Sequence, residues 1–584
     1  MKFFKTKLIV LLFTILFSTI IVLLLKPILT TNSLIFPYSI HQFDIAKEYP
    51  DVWLYIKIVY CINLFSTIFL IINYIYIHFK FYKINTNKQD LKSIEYTVPT
   101  KVENKNLFNL LIGTNSKNNQ KIYIPEKGLY QNILVTGTIG SGKTSSVMYP
   151  LLNQIFQSKY PEFGMLILDV KGNFFKQVLN YANMYNRLSD ILVIGLDSNI
   201  KYNPLDKPHL NPSVLANRLK TILELFSPNN SESYWLDKVQ DLLCESIKLC
   251  RLYNNGYVTF TEIHNLISFD NYYTSKLEIL RKMFLSGILS QKDIYNLYSS
   301  LSFFENEFTS LDERTKSILK SEVTRITGIF VSDYNISKIF CPNKSEINFK
   351  GFNDVINNSK IVVLNMNIAE YKNLSKVIAA YLKLDFQSEV LSQLSHKTSQ
   401  LNPTVFMCDE YHEYVTASDS DFFAQSRESK CINIVSTQSY SSILNTLQND
   451  STTRVIIQNL VNKLWLRTDD IYTIESAQKQ IGREDKTKIS KNISESASET
   501  NYNYFTNSLH SKKSNLSETI SSQIQTDYIY DNNFFTQELE TFTCLSFISN
   551  GNNIMPPCKI DLIPYFKSMQ TEQSKKNKSN LNII

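Results

Sequence analysis

The run Gly137-Thr138-Ile139-Gly140-Ser141-Gly142-Lys143-Thr144, directly after the aliphatic stretch Ile133–Thr136, constrains this chain more than any other feature. It has the spacing G-x-x-x-x-G-K-[ST], a phosphate-binding loop that requires a strand before it and a helix after it. Glycines let the backbone wrap closely, so that the amides of residues 137–142, with Ser145 in the first helical turn, converge on phosphate oxygens at a helix start. Lys143 is expected to reach the β- and γ-phosphates, and the Thr144 hydroxyl to ligate Mg²⁺. Pro150 falls inside the expected helix and should kink it or shorten its first segment, because it lacks an N–H.

The rest of the chain supplies a matching frame. Ile133–Thr136, Met165–Asp169, Ile191–Leu196, Ile361–Met366, Thr404–Asp409, Ile432–Thr437 and Lys463–Leu466 are short and continuously apolar, the pattern of parallel strands buried on both faces. Amphipathic helices are expected between them; in Asn373–Lys397, Leu374, Val377, Ile378, Tyr381 and Leu382 fall on one side. The alternation predicts a doubly wound α/β domain. Residues 209–345 break it with long helical patterns at Val214–Phe226, Tyr234–Tyr253 and Thr315–Phe330, which predict an all-α insertion between two sheet strands. Residues 484–530 are rich in Ser, Asn, Thr and Lys and read as a flexible polar excursion, before an ordered segment at 531–566 and a polar tail at 567–584.

A nucleotide site of this kind needs an acidic strand end to hold the magnesium shell. Thr404-Val405-Phe406-Met407-Cys408-Asp409-Glu410 supplies one: Asp409 would bind Mg²⁺ and Glu410 would polarise the attacking water as general base. The competing strand end, Leu166-Ile167-Leu168-Asp169, lacks the second carboxylate and is read as a neighbouring strand. Asn87-Lys88-Gln89-Asp90 spells a guanine-reading motif but precedes the loop and follows an apolar span, so ATP is the expected nucleotide.

Two apolar stretches lie near the start, Leu8–Leu25 and Ile58–Phe79, each long enough to cross a bilayer. Lysines cluster before the first and after the second, which predicts both termini on the cytoplasmic side, a short external loop at 27–57, and a membrane anchor over residues 1–83. Residues 84–120 then form a linker, and 121–208 and 346–483 the two main parts of the nucleotide-binding domain, completed by 531–566. In 584 residues, 60 basic against 53 acidic side chains give a net charge of +7, too mild to point by itself to nucleic acid. The eight cysteines form no C-x-x-C pair and H-E-x-x-H is absent, which argues against a metal cage built from side chains alone.

Further segments carry a likeness to a known family. Leu168-Asp169-Val170-Lys171-Gly172, Tyr202-Asn203-Pro204-Leu205-Asp206 and the aromatic pair Tyr234-Trp235 follow the loop in order, and Arg427 and Gln438 lie 18 and 29 residues after Asp409. With the loop itself, this order and spacing resembles the type IV coupling proteins, membrane-anchored hexameric ATPases that feed DNA or protein substrates to type IV secretion machines in conjugation. The likeness covers residues 121–566 and both apolar stretches. It implies a RecA-like P-loop NTPase domain with an inserted all-α domain behind two transmembrane helices in a bacterial cell membrane. Arg427 would act in trans on a neighbouring subunit's nucleotide, Gln438 would sense the γ-phosphate, and Tyr234 and Trp235 would anchor the helical domain. The implied partners are single- or double-stranded DNA, a relaxase, the secretion channel and further copies of the chain in a homo-hexamer. Two features depart from that pattern: the long polar segment 484–530, and the lack of pronounced basic stripes. A septal-type DNA translocase shares the fold but ends in a winged helix, for which residues 567–584 are too few. A non-catalytic membrane receptor for secretion substrates would not need Glu410.

Overall fold

The computed structural model describes residues 34–35, 40–41, 47–90, 108–158, 162–172, 174–226, 233–366, 371, 373–395, 401–495, 501–503, 508–510 and 516–567. The chain divides into two units, Met1–Lys105 and Asn106–Ile584. In the first, strands β1 (Leu34–Ile35) and β2 (Ile40–His41) pair antiparallel ahead of a long helix, Pro50–Asp90. Among the described residues this is the one helix long and apolar enough to cross a membrane, and its qualifying stretch is Pro50–Phe69, beginning before the expected Ile58. Side chains such as Tyr55, Phe65 and Phe69 are exposed along it. The expected first span, Leu8–Leu25, lies outside the described residues.

The second unit is mixed α/β, built on an eleven-stranded sheet. Its strands are β3 (Asn109–Asn115), β4 (Lys121–Pro125), β5 (Ile133–Thr136), β6 (Gly164–Leu168), β7 (Ile191–Ile194), β8 (Ile361–Leu364), β9 (Thr404–Cys408), β10 (Cys431–Thr437) and β11 (Asn462–Trp465), joined late in the chain by β16 (Thr543–Phe547) and β17 (Cys558–Leu562). The order is β4-β3-β17-β16-β11-β5-β10-β9-β6-β8-β7. From β11 to β7 all neighbours run parallel, and these are the strands expected from continuous apolar runs. Every residue of β5, β6, β8, β9 and β10 is buried, because helices cover both faces and leave no position for a polar alternation. The other four strands pair antiparallel at one side of the sheet.

Lys463, in β11, is a charged side chain in the sheet's interior. It is 2% exposed, and its ammonium sits 5.9 Å from the Phe547 ring with no carboxylate paired to it among the described residues. Burial pushes its pKa from the ordinary 10.5 down to about 8. The unfolded chain therefore binds this proton more tightly, so the penalty is fully present below pH 8 and fades as pH rises from 8 to 10.5; it amounts to about 3 kcal/mol. Lys463→Met is expected to raise the melting temperature by a few degrees at pH 7, and the gain should shrink steadily between pH 8 and 10.5 in the same melts.

Between β7 and β8 the chain is helical: Pro212–Phe226, Ser233–Tyr253, Phe260–Ser268, Asp270–Leu285, Gln291–Ser302, Glu313–Val331 and Tyr334–Phe340. Start signals are local, as in the capping box of Ser290 with Asp293 and the Asp312 side chain accepting from Thr315 N. Residues 484–530 differ from the expected flexible excursion. They contain β12 (Arg483–Glu495) and β15 (Leu516–Tyr528), paired antiparallel in unbroken register from Arg483↔Tyr528 to Glu495↔Leu516, with a short pair β13 (Asn501–Asn503) and β14 (Ser508–His510) between. Ser, Thr and Lys read as loop by composition, but Thr487, Ile489 and Ile493, like Ile520 and Ile524, fall at even spacings, which suits a strand's two-residue repeat.

Candidate functional site

Strand β5 ends at Thr136, flanked by β10 and β11, and the glycine-rich loop begins where all three end. The neighbours hold its mouth: Gly137 N donates to Thr437 O (3.3 Å), and Thr138 donates to Arg467 O through both its amide (2.8 Å) and its hydroxyl (3.2 Å). Gly140 and Gly142 have φ of 79° and 101°, a region closed to most side chains. A Cβ on Gly142 would also meet the Phe542 ring at 2.7 Å, so the loop is braced from outside by the segment entering β16. Ser141 is buried and donates to Thr138 O (2.7 Å), Ser145 donates to Gly142 O (3.4 Å), and Ile139 is exposed at the rim.

The loop runs into a π-helical turn, Lys143–Met148, in which Tyr149 N donates to Thr144 O; the regular α-helix starts at Tyr149 and ends at Gln157. Pro150 accounts for this delay, since its missing N–H deprives the first turn of a regular bond and the turn widens. Lys143 is 6% exposed, and its ammonium donates to Gly137 O (2.7 Å) and Thr138 O (3.4 Å), a side chain folded over its own loop. Burial lowers its pKa, opposed by the nearby carboxylates of Glu410 and Asp409.

The acidic strand end lies at the same place because β9 pairs with β10, and β10 with β5. Thr144 Oγ1 donates to Asp409 Oδ2 at 2.7 Å, across 265 positions of sequence. Asp409 is fixed further by its amide bond to Leu168 O (3.0 Å), by the Ser436 hydroxyl, and by Glu410 N (3.1 Å), the last two donating to Oδ1. Glu410 is 5% exposed and left-handed, with φ of 50°. Its Oε1 is 3.5 Å from Lys171 Nζ and its Oε2 3.8 Å from His412 Nδ1, yet among the described residues Oε2 accepts no hydrogen bond. Burial lowers the pKa of His412 against the pull of Glu410 and Glu413.

This donor set fits a triphosphate with a divalent cation. The hydroxyl and carboxylate suited to a hard cation already touch, and a buried carboxylate oxygen lacks a donor that a water would supply. Among the described residues no group of three or more His, Cys, Asp or Glu could hold a metal alone. A cation here would therefore depend on phosphate oxygens for most of its shell.

The remaining predicted residues fall in different places. Gln438 directly follows Thr437, whose carbonyl receives Gly137 N, so it stands half-buried at the loop's edge. Arg427 is exposed in the turn before β10, at the end of the parallel strands opposite the loop, and does not approach the site of its own chain. Asp169 accepts from Lys171 N (3.0 Å) and Phe174 N (2.9 Å), shaping the start of helix Phe174–Met184. Tyr234 and Trp235 form an edge-on ring pair 5.4 Å apart, with Tyr234 largely exposed and Trp235 packed against the core. Sequence reasoning missed Ser436, His412, the Arg467 carbonyl and Phe542; apart from His412, two residues beyond Glu410, each reaches the site through strand pairing with no local signature.

Comparison with known proteins follows the same lines. Residues 348–526 match the family model described as the type IV secretion-system coupling protein DNA-binding domain. That match covers about a third of the chain, from the segment preceding β8 into the ribbon of β12 and β15. Its fold is similar to the unbound monoclinic form of the bacterial conjugative coupling protein TrwBdeltaN70, with a TM-score of 0.51 at 11% identity, covering 76% of this chain and 87% of that one. The trigonal form of the same protein, in complex with sulphate, gives 0.50 at 12% identity over 75% and 87%. VirB4 of Thermoanaerobacter pseudethanolicus gives 0.44 at 12% identity over 79% and 98%. No curated protein matches the sequence.

Proposed function

We propose that this chain is a type IV coupling protein, a membrane-anchored, Mg²⁺-dependent ATPase that drives DNA, presented with its relaxase, toward a type IV secretion channel. The observation that carries the reading is the 2.7 Å bond between Thr144 and Asp409, which joins the glycine-rich loop and the acidic strand end in one site. The loop amides and Lys143 bind the phosphates; Lys143 gives up its contacts to Gly137 O and Thr138 O to do so. Thr144 and Asp409 would hold Mg²⁺, which when bound would supply charge to offset that developing on the phosphate oxygens. Glu410, with its open Oε2, orients the attacking water and accepts its proton.

Arg427 serves the nucleotide of a neighbouring subunit, in keeping with its exposed position at the far end of the strands, and Gln438 senses the γ-phosphate from the loop's edge. The active form is then a ring, and a homo-hexamer is the expected one, with the helix Pro50–Asp90 contributing to the membrane anchor. The test is ATP hydrolysis by the full chain in detergent, with and without single- and double-stranded DNA, alongside its mass by light scattering. Mg²⁺-dependent hydrolysis stimulated by DNA in a species of several subunits is expected. A protein that binds nucleotide without turning it over would be a receptor instead.

A further inference from the structure

Glu410 is a non-glycine residue held in the left-handed region, a conformation that costs about 1 kcal/mol or more and persists only where the surroundings enforce it. The enforcing contacts come from the next residue. Tyr411 is fully buried, and its hydroxyl donates to Asp419 Oδ2 at 2.6 Å. The same carboxylate oxygen accepts from Lys383 Nζ (2.6 Å) and Thr416 N (3.0 Å), and Gln387 donates to Oδ1 (2.9 Å). Lys383 also donates to Tyr414 O (2.7 Å) and Thr416 Oγ1 (2.9 Å), so one ammonium gathers the whole turn that follows Glu410. Lys383 and Asp419 are both 0% exposed, and a buried pair of this kind holds its geometry only because every lone pair and proton is engaged.

The helix carrying Lys383, Asn373–Ser392, is itself pinned from its other side. Positions 383 and 385 are about 200° apart around a helix. Asp385 accepts from Arg218 at 2.8 Å and lies 3.3 Å from Lys207, while Glu389, one turn on, lies 3.1 Å from Lys207. The helix thus stands fixed between the start of the all-α insertion and the turn behind Glu410.

We infer that Tyr411, through Asp419 and Lys383, is a positioning residue for the hydrolytic step: it holds Glu410 in its left-handed turn so that the carboxylate stays between Lys171 and His412. The inference rests on the reading of Glu410 as general base. Tyr411→Phe tests it, because it deletes one hydroxyl and leaves the ring packed and the Lys383–Asp419 pair intact. In the full chain, kcat for ATP is expected to fall about 10-fold, since a general base contributes far more than that when well placed. The Kd of a non-hydrolysable ATP analogue should stay within two-fold, while the melting midpoint falls by a few degrees for the lost hydrogen bond to a buried carboxylate. Tyr381→Phe, which removes a buried hydroxyl from the same helix with no bond to Asp419, is the control and should keep kcat within two-fold. A kcat of Tyr411→Phe within two-fold of the parent overturns the inference, as does a loss of analogue affinity that matches the loss of kcat. If the parent chain itself hydrolyses no ATP, the reading of the site as an ATPase fails with it, an outcome separate from either of these.

Discussion

Lys143→Ala is expected to reduce ATP turnover by at least about 100-fold, the scale of losing one preorganised charge contact to a transferring phosphoryl group. The lysine is almost wholly buried, and among the described residues its ammonium bonds to carbonyls of its own loop and to no carboxylate. Alanine suits the helical turn that begins there, and the loop keeps its anchors at Thr437 O and Arg467 O. The loss should therefore be functional: nucleotide affinity and kcat fall while thermal unfolding is little changed. Turnover and analogue binding, measured beside a melt, check this. Full turnover in Lys143→Ala would remove the loop from the chemistry altogether.

Glu410→Gln should separate chemistry from binding. Hydrolysis is expected to fall about 10²- to 10³-fold, within the range for removing a general base, with analogue affinity kept within a few-fold. Glutamine preserves the shape, and its amide can still bond near His412 and Lys171, but it cannot accept the proton of the attacking water. Burial holds Lys143 below the usual lysine range and the Glu410 carboxylate opposes that shift, so Glu410→Gln also weakens the support for the Lys143 ammonium. That effect acts on affinity and is small beside the loss of the base, because Asp409 remains. Single-turnover hydrolysis and analogue titration distinguish the two. A drop of less than ten-fold would assign the base elsewhere, and an equal drop in affinity would make Glu410 a binding group.

The strands of the parallel sheet were legible because burial on both faces demands unbroken apolar runs, and each such run is short and local. The antiparallel side was not. β4, Lys121–Pro125, has Ile124 alone fully buried, and β17 alternates around Lys559 and Asp561, so neither departs far from loop composition. The ribbon of β12 and β15 departs from the expected excursion for a related reason: most of its residues are polar, and each strand finds its partner only across a distant stretch of sequence. Within the site, Lys143, Thr144, Asp409 and Glu410 stood out by motif. Ser436, which orients Asp409, and Phe542, which presses on Gly142, are ordinary residues in ordinary segments whose importance lies in what they touch.

What the chain's order of residues determined alone is the chemistry on offer: a glycine-rich turn able to gather amides around phosphate, a lysine and a threonine beside it, and two carboxylates at the end of an apolar run. These are local, because backbone conformation and side-chain type are set within a few residues. Which groups meet was decided only in three dimensions. Threading β10 between β5 and β9 brings Asp409 to Thr144 and leaves Arg427 at the opposite end of the strands, and the packing of a buried lysine against Asp419 sets the turn from which Glu410 projects. Strand order and buried charge pairing are long-range properties, and no window of sequence contains them.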